Sequence, residues 1–190
     1  MDFTVLKTKV SVSPLFFAVL TVFLLLDESG ISGFAVLFSA LHELGHFLAL
    51  LCQKISPQKV AVTPFGICVS LPENLSTAEK IPVLMAGFTA NFLLAAMFFY
   101  LNKITFAVIN LFIGFFTFLP LSSTDGGSIF KAILEEFAPQ KARKVFKKTT
   151  RFFAVAFSLL LVFAAFSAKN YFILIAAFYI IFCEIKDAAF

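Results

Sequence analysis

Long apolar runs constrain this chain more than any other feature of its sequence. Hydrophobic residues fill 61% of its 190 positions, whereas soluble domains are about 45–50% apolar. A helix that crosses a bilayer needs roughly 17–25 predominantly apolar residues. Hydropathy predicts about six transmembrane helices, at residues 12–26, 31–52, 81–101, 104–121, 152–168 and 170–185. The sequence therefore predicts an all-α polytopic membrane protein that forms a single domain over residues 1–190.

The placement of lysine and arginine predicts the orientation of these helices. Basic residues cluster in the N-terminus, between the second and third spans, and in residues 122–151. Cytoplasmic loops carry an excess of basic residues, so both termini and the longer loops are predicted to be cytoplasmic. The run PQKARKVFKKTTR, residues 139–151, indicates a plain topology anchor, with contact to acidic lipid or an acidic partner as the alternative. The net charge of +4 requires no nucleic-acid partner.

The stretch SALHELGHFLALL, residues 39–51, places His42, Glu43 and His46 inside the second predicted span. The chain has no other histidine, and Glu43 is the only acidic residue in the first five predicted spans. Residues four apart share one helix face, so the two imidazoles supply half of a tetrahedral zinc site. Glu43 completes HExxH, in which the glutamate serves as a general base. The motif also occurs by chance, but an ionisable side chain at membrane depth costs about 2.5–3.5 kcal/mol.

A third metal ligand must come from a carboxylate or a thiolate, because a catalytic zinc usually has three protein ligands. Cys52 lies off the face of the histidines, and neither Cys68 nor Cys183 has a supporting motif. Asp125 is the better candidate, since it follows the helix-breaking Pro120 in TFLPLSSTDGG. An ordinary helix N-cap is the alternative for Asp125.

Residues 54–73 alternate at strand period around Pro64, Phe65 and Gly66. This pattern predicts a small membrane-associated β-hairpin beside the second span, with a plain cytoplasmic loop as the alternative. A transmembrane substrate must unwind before its peptide bonds are accessible. An exposed strand edge could then pair with the extended backbone of the substrate.

Three segments together resemble the site-2 protease family of intramembrane zinc metalloproteases. They are HELGH in the second span, TFLPLSSTDGG, and MAGFTANFLLA at residues 85–95. In the last segment Ala86, Gly87 and Asn91 match the family, and Phe88 replaces a proline. Thr117 stands where the family has asparagine. The resemblance covers about residues 31–130, and the six-span arrangement is most similar to members that process a sporulation sigma factor.

The resemblance implies a metalloprotease that cleaves membrane-tethered proteins within or near their transmembrane segment. The implied site has Zn²⁺ bound by His42, His46 and Asp125, with Glu43 as the catalytic base. Asn91 and Thr117 are the implied substrate or oxyanion contacts. The implied partners are the lipid bilayer, a membrane-anchored substrate such as a tethered transcription, sigma or anti-sigma factor, and a regulatory membrane protein. The implied location is a bacterial cell membrane, with the active site near the cytoplasmic side.

The sequence is also compatible with two other functions. Thr117 in place of asparagine is compatible with an inactive family member that acts as a membrane scaffold. A metal transporter could also use histidines in transit. Transporters tend to show paired repeats, however, and this sequence shows none.

Overall fold

The computed structural model describes residues 2–5, 8–25, 27, 30–63, 66–72, 75–167, 169 and 173–188. The chain forms two compact units, Met1–Phe115 and Phe116–Phe190. The elements in chain order are β1 (Asp2–Val5), β2 (Thr8–Val12), α1 (Pro14–Leu25), α2 (Ile31–Cys52), β3 (Lys59–Thr63), β4 (Gly66–Ser70), α3 (Thr77–Tyr100), α4 (Ile104–Phe118), α5 (Asp125–Phe137), α6 (Pro139–Ser167) and α7 (Ile173–Ala188).

The helices support the predicted membrane class. Among the described residues, α2, α3 and α6 are long and apolar enough to cross a membrane. Shorter apolar helices occur at Ile104–Phe118 and Ala176–Ile185, and α1 has 12 residues. Six full spans are therefore not confirmed. The start of the predicted sixth span, residues 170–172, lies outside the described residues.

The hairpin prediction is confirmed, but the sheet is larger than the sequence indicates. Strands β3 and β4 pair antiparallel, and the predicted turn residues Pro64 and Phe65 lie outside the described part of the chain. Strand β2 pairs parallel with β3, with Val10 opposite Val60. Strand β1 completes a four-stranded sheet in the order β1-β2-β3-β4. The N-terminal strands were not predicted, because the pairing of β2 joins residues far apart in sequence.

The region predicted as a cytoplasmic connection, residues 122–151, is helical in its larger part. Helix α5 occupies Asp125–Phe137, and α6 continues from the basic run into the apolar run without a break. Pro139 is the first residue of α6, where its missing N–H costs nothing. The rings of Phe130 and Phe146 stack with centroids 6.2 Å apart, which joins α5 to α6.

Within the first unit, a glycine lets α2 and α3 approach closely. A Cβ atom on Gly45 would lie 2.7 Å from the backbone oxygen of Ala86 and 3.1 Å from Cβ of Ala90. Phenylalanine rings fill the space between α2, α3 and α4, with centroid distances from 4.5 to 5.8 Å across the helices: Phe34, Phe38, Phe98 and Phe106. Helix α3 ends at a tight connection in which Asn102 adopts a φ of 57°, as residues that terminate helices often do.

In the second unit, α6 packs on α7 through small residues. Ala154 and Ala165 are fully buried on α6, which allows the close helix approach typical of membrane interfaces. The Ser158 hydroxyl donates to the backbone oxygen of Ala177 at 3.3 Å. The buried Thr150 hydroxyl donates to the Glu184 carboxylate, so this buried carboxylate has a polar partner.

The close approach at Gly45 predicts that Gly45→Ala destabilises the first unit. The added methyl group would meet backbone atoms of α3, and overpacking of this kind costs about 1–3 kcal/mol. Thermal unfolding of the purified variant in detergent measures the effect. Gly33→Ala on the same helix is the matched control, because its Cβ would meet only Leu24 Cδ2 at 3.9 Å. Equal melting temperatures for the two variants would contradict this account of α2–α3 packing.

Candidate metal centre

The two histidines of the HELGH motif lie on the buried face of α2. His42 and His46 are 4% and 6% exposed, and their Nε2 atoms are 3.2 Å apart. The predicted spacing of one helical turn therefore brings the two rings together. Their planes are inclined by 84°, so the two ring nitrogens converge on one place from different directions.

Helix α3 supplies a hydrogen-bond partner for the Nδ1 atom of each ring. Nδ1 of His46 lies 2.7 Å from the backbone oxygen of Val83, and Nδ1 of His42 lies 2.7 Å from Oδ1 of Asn91. A carbonyl oxygen only accepts hydrogen bonds, so Nδ1 of His46 donates. The Asn91 amide nitrogen donates to Asn110 Oδ1 at 3.0 Å and to the Phe38 backbone oxygen at 3.4 Å. This leaves the Asn91 oxygen to accept from His42.

These bonds determine which nitrogen of each ring carries a lone pair. In a neutral imidazole one nitrogen is a donor and the other an acceptor, so protonation at Nδ1 puts the lone pair on Nε2. Two lone pairs facing each other at 3.2 Å repel unless a proton or a cation lies between them. Metal-ligating histidines almost always donate their other ring N–H to an oxygen, and both His42 and His46 meet this condition.

The distance between the two nitrogens fits a zinc ion. Nitrogen ligands lie about 2.0–2.1 Å from zinc, so two of them in tetrahedral geometry are roughly 3.3–3.4 Å apart. The 3.2 Å separation of the Nε2 atoms is close to this value. The donor set and the spacing therefore fit a tetrahedral metal ion.

Gly87 on α3 keeps space beside the two nitrogens. A Cβ atom on Gly87 would lie 2.6 Å from Nε2 of His42 and closer still to Nε2 of His46. Any larger residue would fill the position at which both nitrogens converge. The resemblance identified Gly87 only as a matching residue, and the structure provides a physical reason for a glycine there.

Asn91 has a role that the sequence did not predict. It is fully buried, and its oxygen and amide nitrogen are engaged by His42, Asn110 and Phe38. A contact from Asn91 to a substrate or oxyanion would have to break one of these bonds. The oxyanion role implied by the resemblance stays a prediction, whereas the hydrogen bonds assign Asn91 to the orientation of His42.

Sequence reasoning missed Asn110 altogether. It is a fully buried amide in the apolar helix α4. The signal that could have found it is the cost of a polar group in apolar surroundings, which requires a hydrogen-bond partner. Glu43 follows His42 on α2 and is half-buried.

Asp125 belongs to the second unit, where it is half-buried at the first residue of α5. The structure decides against the alternative that Asp125 is the N-cap. Thr124 is the N-cap residue, and its side-chain oxygen accepts from the backbone nitrogen of Gly127. Gly126 and Gly127 have no room for a Cβ, because their Cα atoms face the backbone oxygens of Phe118 and Leu121. The DGG segment is therefore folded tightly against the preceding loop.

Thr117, the other residue implied to contact substrate, is half-buried in the last turn of α4 and also belongs to the second unit. Its predicted role stays a prediction.

Comparison with known proteins finds a match among solved structures. Neither a family model nor a curated protein sequence matches this chain. Among solved structures, the Site-2 Protease from Methanocaldococcus jannaschii matches with a TM-score of 0.65 and 18% sequence identity, over 98% of this chain and 94% of that chain. At this level of identity the match shows a shared fold. The chain therefore has the fold of that site-2 protease, in agreement with the resemblance carried by its motifs.

The position of Gly87 predicts that Gly87→Ala weakens zinc binding. The methyl group would occupy the space beside both Nε2 atoms, and overpacking of about 1–3 kcal/mol lowers affinity by about tenfold or more. Competition with a chelator of known zinc affinity measures the effect on purified protein. Gly33→Ala, on the same helix as the histidines and clear of close contacts, should bind zinc like the wild type. Wild-type affinity in Gly87→Ala would contradict the assigned metal position.

Proposed function

We propose that this chain is an intramembrane zinc metalloprotease of the site-2 protease family. Its substrates would be membrane-tethered proteins, cleaved within or near their transmembrane segment. The observation that carries the proposal is the buried pair of histidines, whose Nδ1 atoms are both held by α3 and whose Nε2 atoms are 3.2 Å apart. The shared fold with the Site-2 Protease from Methanocaldococcus jannaschii supports it independently.

The proposed ligands are His42 and His46 of the first unit and Asp125 of the second unit. Two imidazoles and a carboxylate are a common ligand set for catalytic zinc, and they leave a fourth position open. When bound, zinc acts as a Lewis acid that polarises the scissile carbonyl and lowers the pKa of water. Asp125 is suited to this task because Thr124 already caps α5.

Glu43 is the proposed general base. It is adjacent to His42 on α2 and half-buried, so it lies next to the ligands without being needed as one of them. In this role Glu43 accepts a proton from the attacking water and passes it to the leaving amine as the peptide bond breaks. The products are two peptide fragments, one of which loses its membrane tether.

The sheet of the first unit offers a way to hold an unwound substrate. Strand β4 is at one edge of the sheet, and it contacts α2, the helix that bears the histidines. An edge strand has backbone groups that can pair with an extended peptide. We therefore propose that the substrate adds to β4 before cleavage. The substrate class, a tethered transcription, sigma or anti-sigma factor, and a membrane regulator are part of the same proposal.

The direct test is cleavage by Glu43→Gln. Loss of a general base lowers the rate by about 10²–10⁴-fold, whereas zinc content should not change because Glu43 is not a ligand. The measurement is cleavage of co-expressed single-span membrane proteins, with zinc analysis of the purified variant. Glu135→Gln, an exposed change on α5 beside Lys131, should retain full activity. Cleavage at the wild-type rate by Glu43→Gln would overturn the mechanism, and a wild type that binds zinc without cleaving would favour the scaffold alternative.

Asp125→Asn tests the third ligand. Because Thr124 provides the cap, α5 should persist in this variant, whereas the neutral amide is a poor zinc ligand. We expect the variant to insert and fold, to lose most of its zinc, and to lose proteolysis. Thr124→Ala is the matched control, with a loss of about 0.5–2 kcal/mol of stability and zinc retained. Unchanged zinc content and cleavage in Asp125→Asn would leave the third ligand unassigned.

A further inference from the structure

We propose that Asn110 is a positioning residue for the metal centre. Through Asn91 it keeps Nδ1 of His42 protonated, and Nε2 of His42 is thereby kept as a ligand atom. This inference rests on the proposed function, because it concerns the same histidine pair. It goes further by assigning a role to a residue on a third helix that neither belongs to a recognised motif nor contacts the histidines itself.

A line of hydrogen bonds connects α4 to the ring of His42. The Asn110 amide nitrogen donates to the backbone oxygen of Phe106 at 2.9 Å. The Asn91 amide nitrogen donates to Asn110 Oδ1 at 3.0 Å, and His42 Nδ1 donates to Asn91 Oδ1 at 2.7 Å. Both asparagines have 0% of their surface exposed. Solvent therefore does not substitute for any of these partners.

Backbone oxygens set the direction of this line: Phe106 accepts from the Asn110 amide nitrogen at 2.9 Å, and Phe38 accepts from the Asn91 amide nitrogen at the longer distance of 3.4 Å. The Phe106 oxygen can only accept, so the Asn110 amide nitrogen faces it and Asn110 Oδ1 faces Asn91. If the Asn91 amide turned over, its oxygen would face Asn110 Oδ1. Turning Asn110 as well would place its oxygen against the Phe106 oxygen. Either change opposes two buried acceptors, so the observed orientation is the one that satisfies every group.

His42 needs such an anchor and His46 does not. The partner of His46 is the backbone oxygen of Val83, which cannot exchange donor for acceptor. The partner of His42 is a side-chain amide, which presents an oxygen in one orientation and an NH₂ group in the other. A turned Asn91 amide would donate to Nδ1 of His42, and the ring proton would then move to Nε2. A protonated Nε2 has no lone pair for a metal.

The same contacts also fit a purely structural role for Asn110. Its amide could serve only to satisfy itself and Asn91 within the apolar packing of α3 and α4. Loss of Asn110 would then lower stability without a specific effect on the metal. Substitution of Asn91 distinguishes the two roles, because Asn110 is then no longer connected to His42 by hydrogen bonds.

The test is a double-mutant cycle read as zinc affinity. Full-length wild type, Asn110→Leu, Asn91→Leu and the double variant are purified, depleted of metal, and titrated with zinc against a chelator of known affinity. We expect Asn91→Leu, which removes the direct partner of His42, to bind zinc about 10–100-fold more weakly. Asn110→Leu, which acts through Asn91, should show at least about a tenfold loss. In the Asn91→Leu background, the same substitution should change the affinity by less than about twofold.

Two controls separate this result from general destabilisation. Ser158→Ala removes a buried hydroxyl that bonds to the Ala177 backbone and to neither asparagine, and it should keep wild-type zinc affinity. The melting temperature of each metal-free variant reports on the fold. Asn110→Ala is measured in parallel, because the smaller side chain cannot overpack if leucine prevents folding, and the same loss of affinity is expected.

The outcomes distinguish this inference from the proposed function. A wild-type chain that binds zinc tightly, with equal affinity in Asn110→Leu and Asn110→Ala, overturns the inference alone. Losses that add in the double variant also overturn it, because Asn110 would then act without Asn91. A wild-type chain that binds no zinc overturns the proposed function and the inference together.

Discussion

The need to satisfy Nδ1 of two buried histidines organises the first unit of this protein. An imidazole placed among apolar side chains must find a partner for its N–H group, since an unmade hydrogen bond in such surroundings is costly. Helix α3 meets this need at two positions, with the Val83 backbone oxygen and the Asn91 side chain. The same two bonds turn both Nε2 atoms toward each other. Packing of α3 on α2 therefore also brings the two Nε2 atoms together.

Glycines make that packing possible, and each does so for a different reason. Gly45 on α2 admits the backbone of α3, and Gly87 on α3 leaves space beside the histidine nitrogens. A methyl group at Gly45 would push the helices apart, and one at Gly87 would enter the site itself. In the second unit, Gly126 and Gly127 let the start of α5 lie directly on the loop before it. Close backbone approach thus recurs wherever a candidate ligand is positioned.

The hydrogen-bond line from Phe106 through Asn110 and Asn91 extends the candidate centre beyond the two histidines. It is a chain of neutral groups in which the Phe106 and Phe38 backbone oxygens orient the two amides, and the Asn91 oxygen accepts from the imidazole of His42. Such an arrangement suits apolar surroundings, because a second carboxylate in place of Asn91 would add a buried charge. The rings of Phe38, Phe98 and Phe106 pack against one another, and the backbone oxygens of Phe38 and Phe106 accept from the two asparagines.

The sequence by itself determined the features that depend on local pattern. The length of the apolar runs indicated membrane helices, and the four-residue spacing of His42 and His46 placed both on one face of α2. The alternation after Lys59 indicated the β3–β4 hairpin. These predictions succeeded because helical and strand periodicity are properties of neighbouring residues.

Only the tertiary structure decided the features that join distant parts of the chain. The pairing of β2 with β3 and the hydrogen bond from Asn91 to Asn110 join separate segments. The local sequence of each segment does not indicate which other segment it contacts. The structure also shows that Thr124, and not Asp125, is the N-cap residue of α5. Composition does not distinguish between two adjacent residues that can both cap a helix. The state of His42 is the clearest case. Its residue type follows from the sequence, but the nitrogen that carries its proton follows from the Asn91 amide on α3, which is itself hydrogen-bonded to Asn110 on α4.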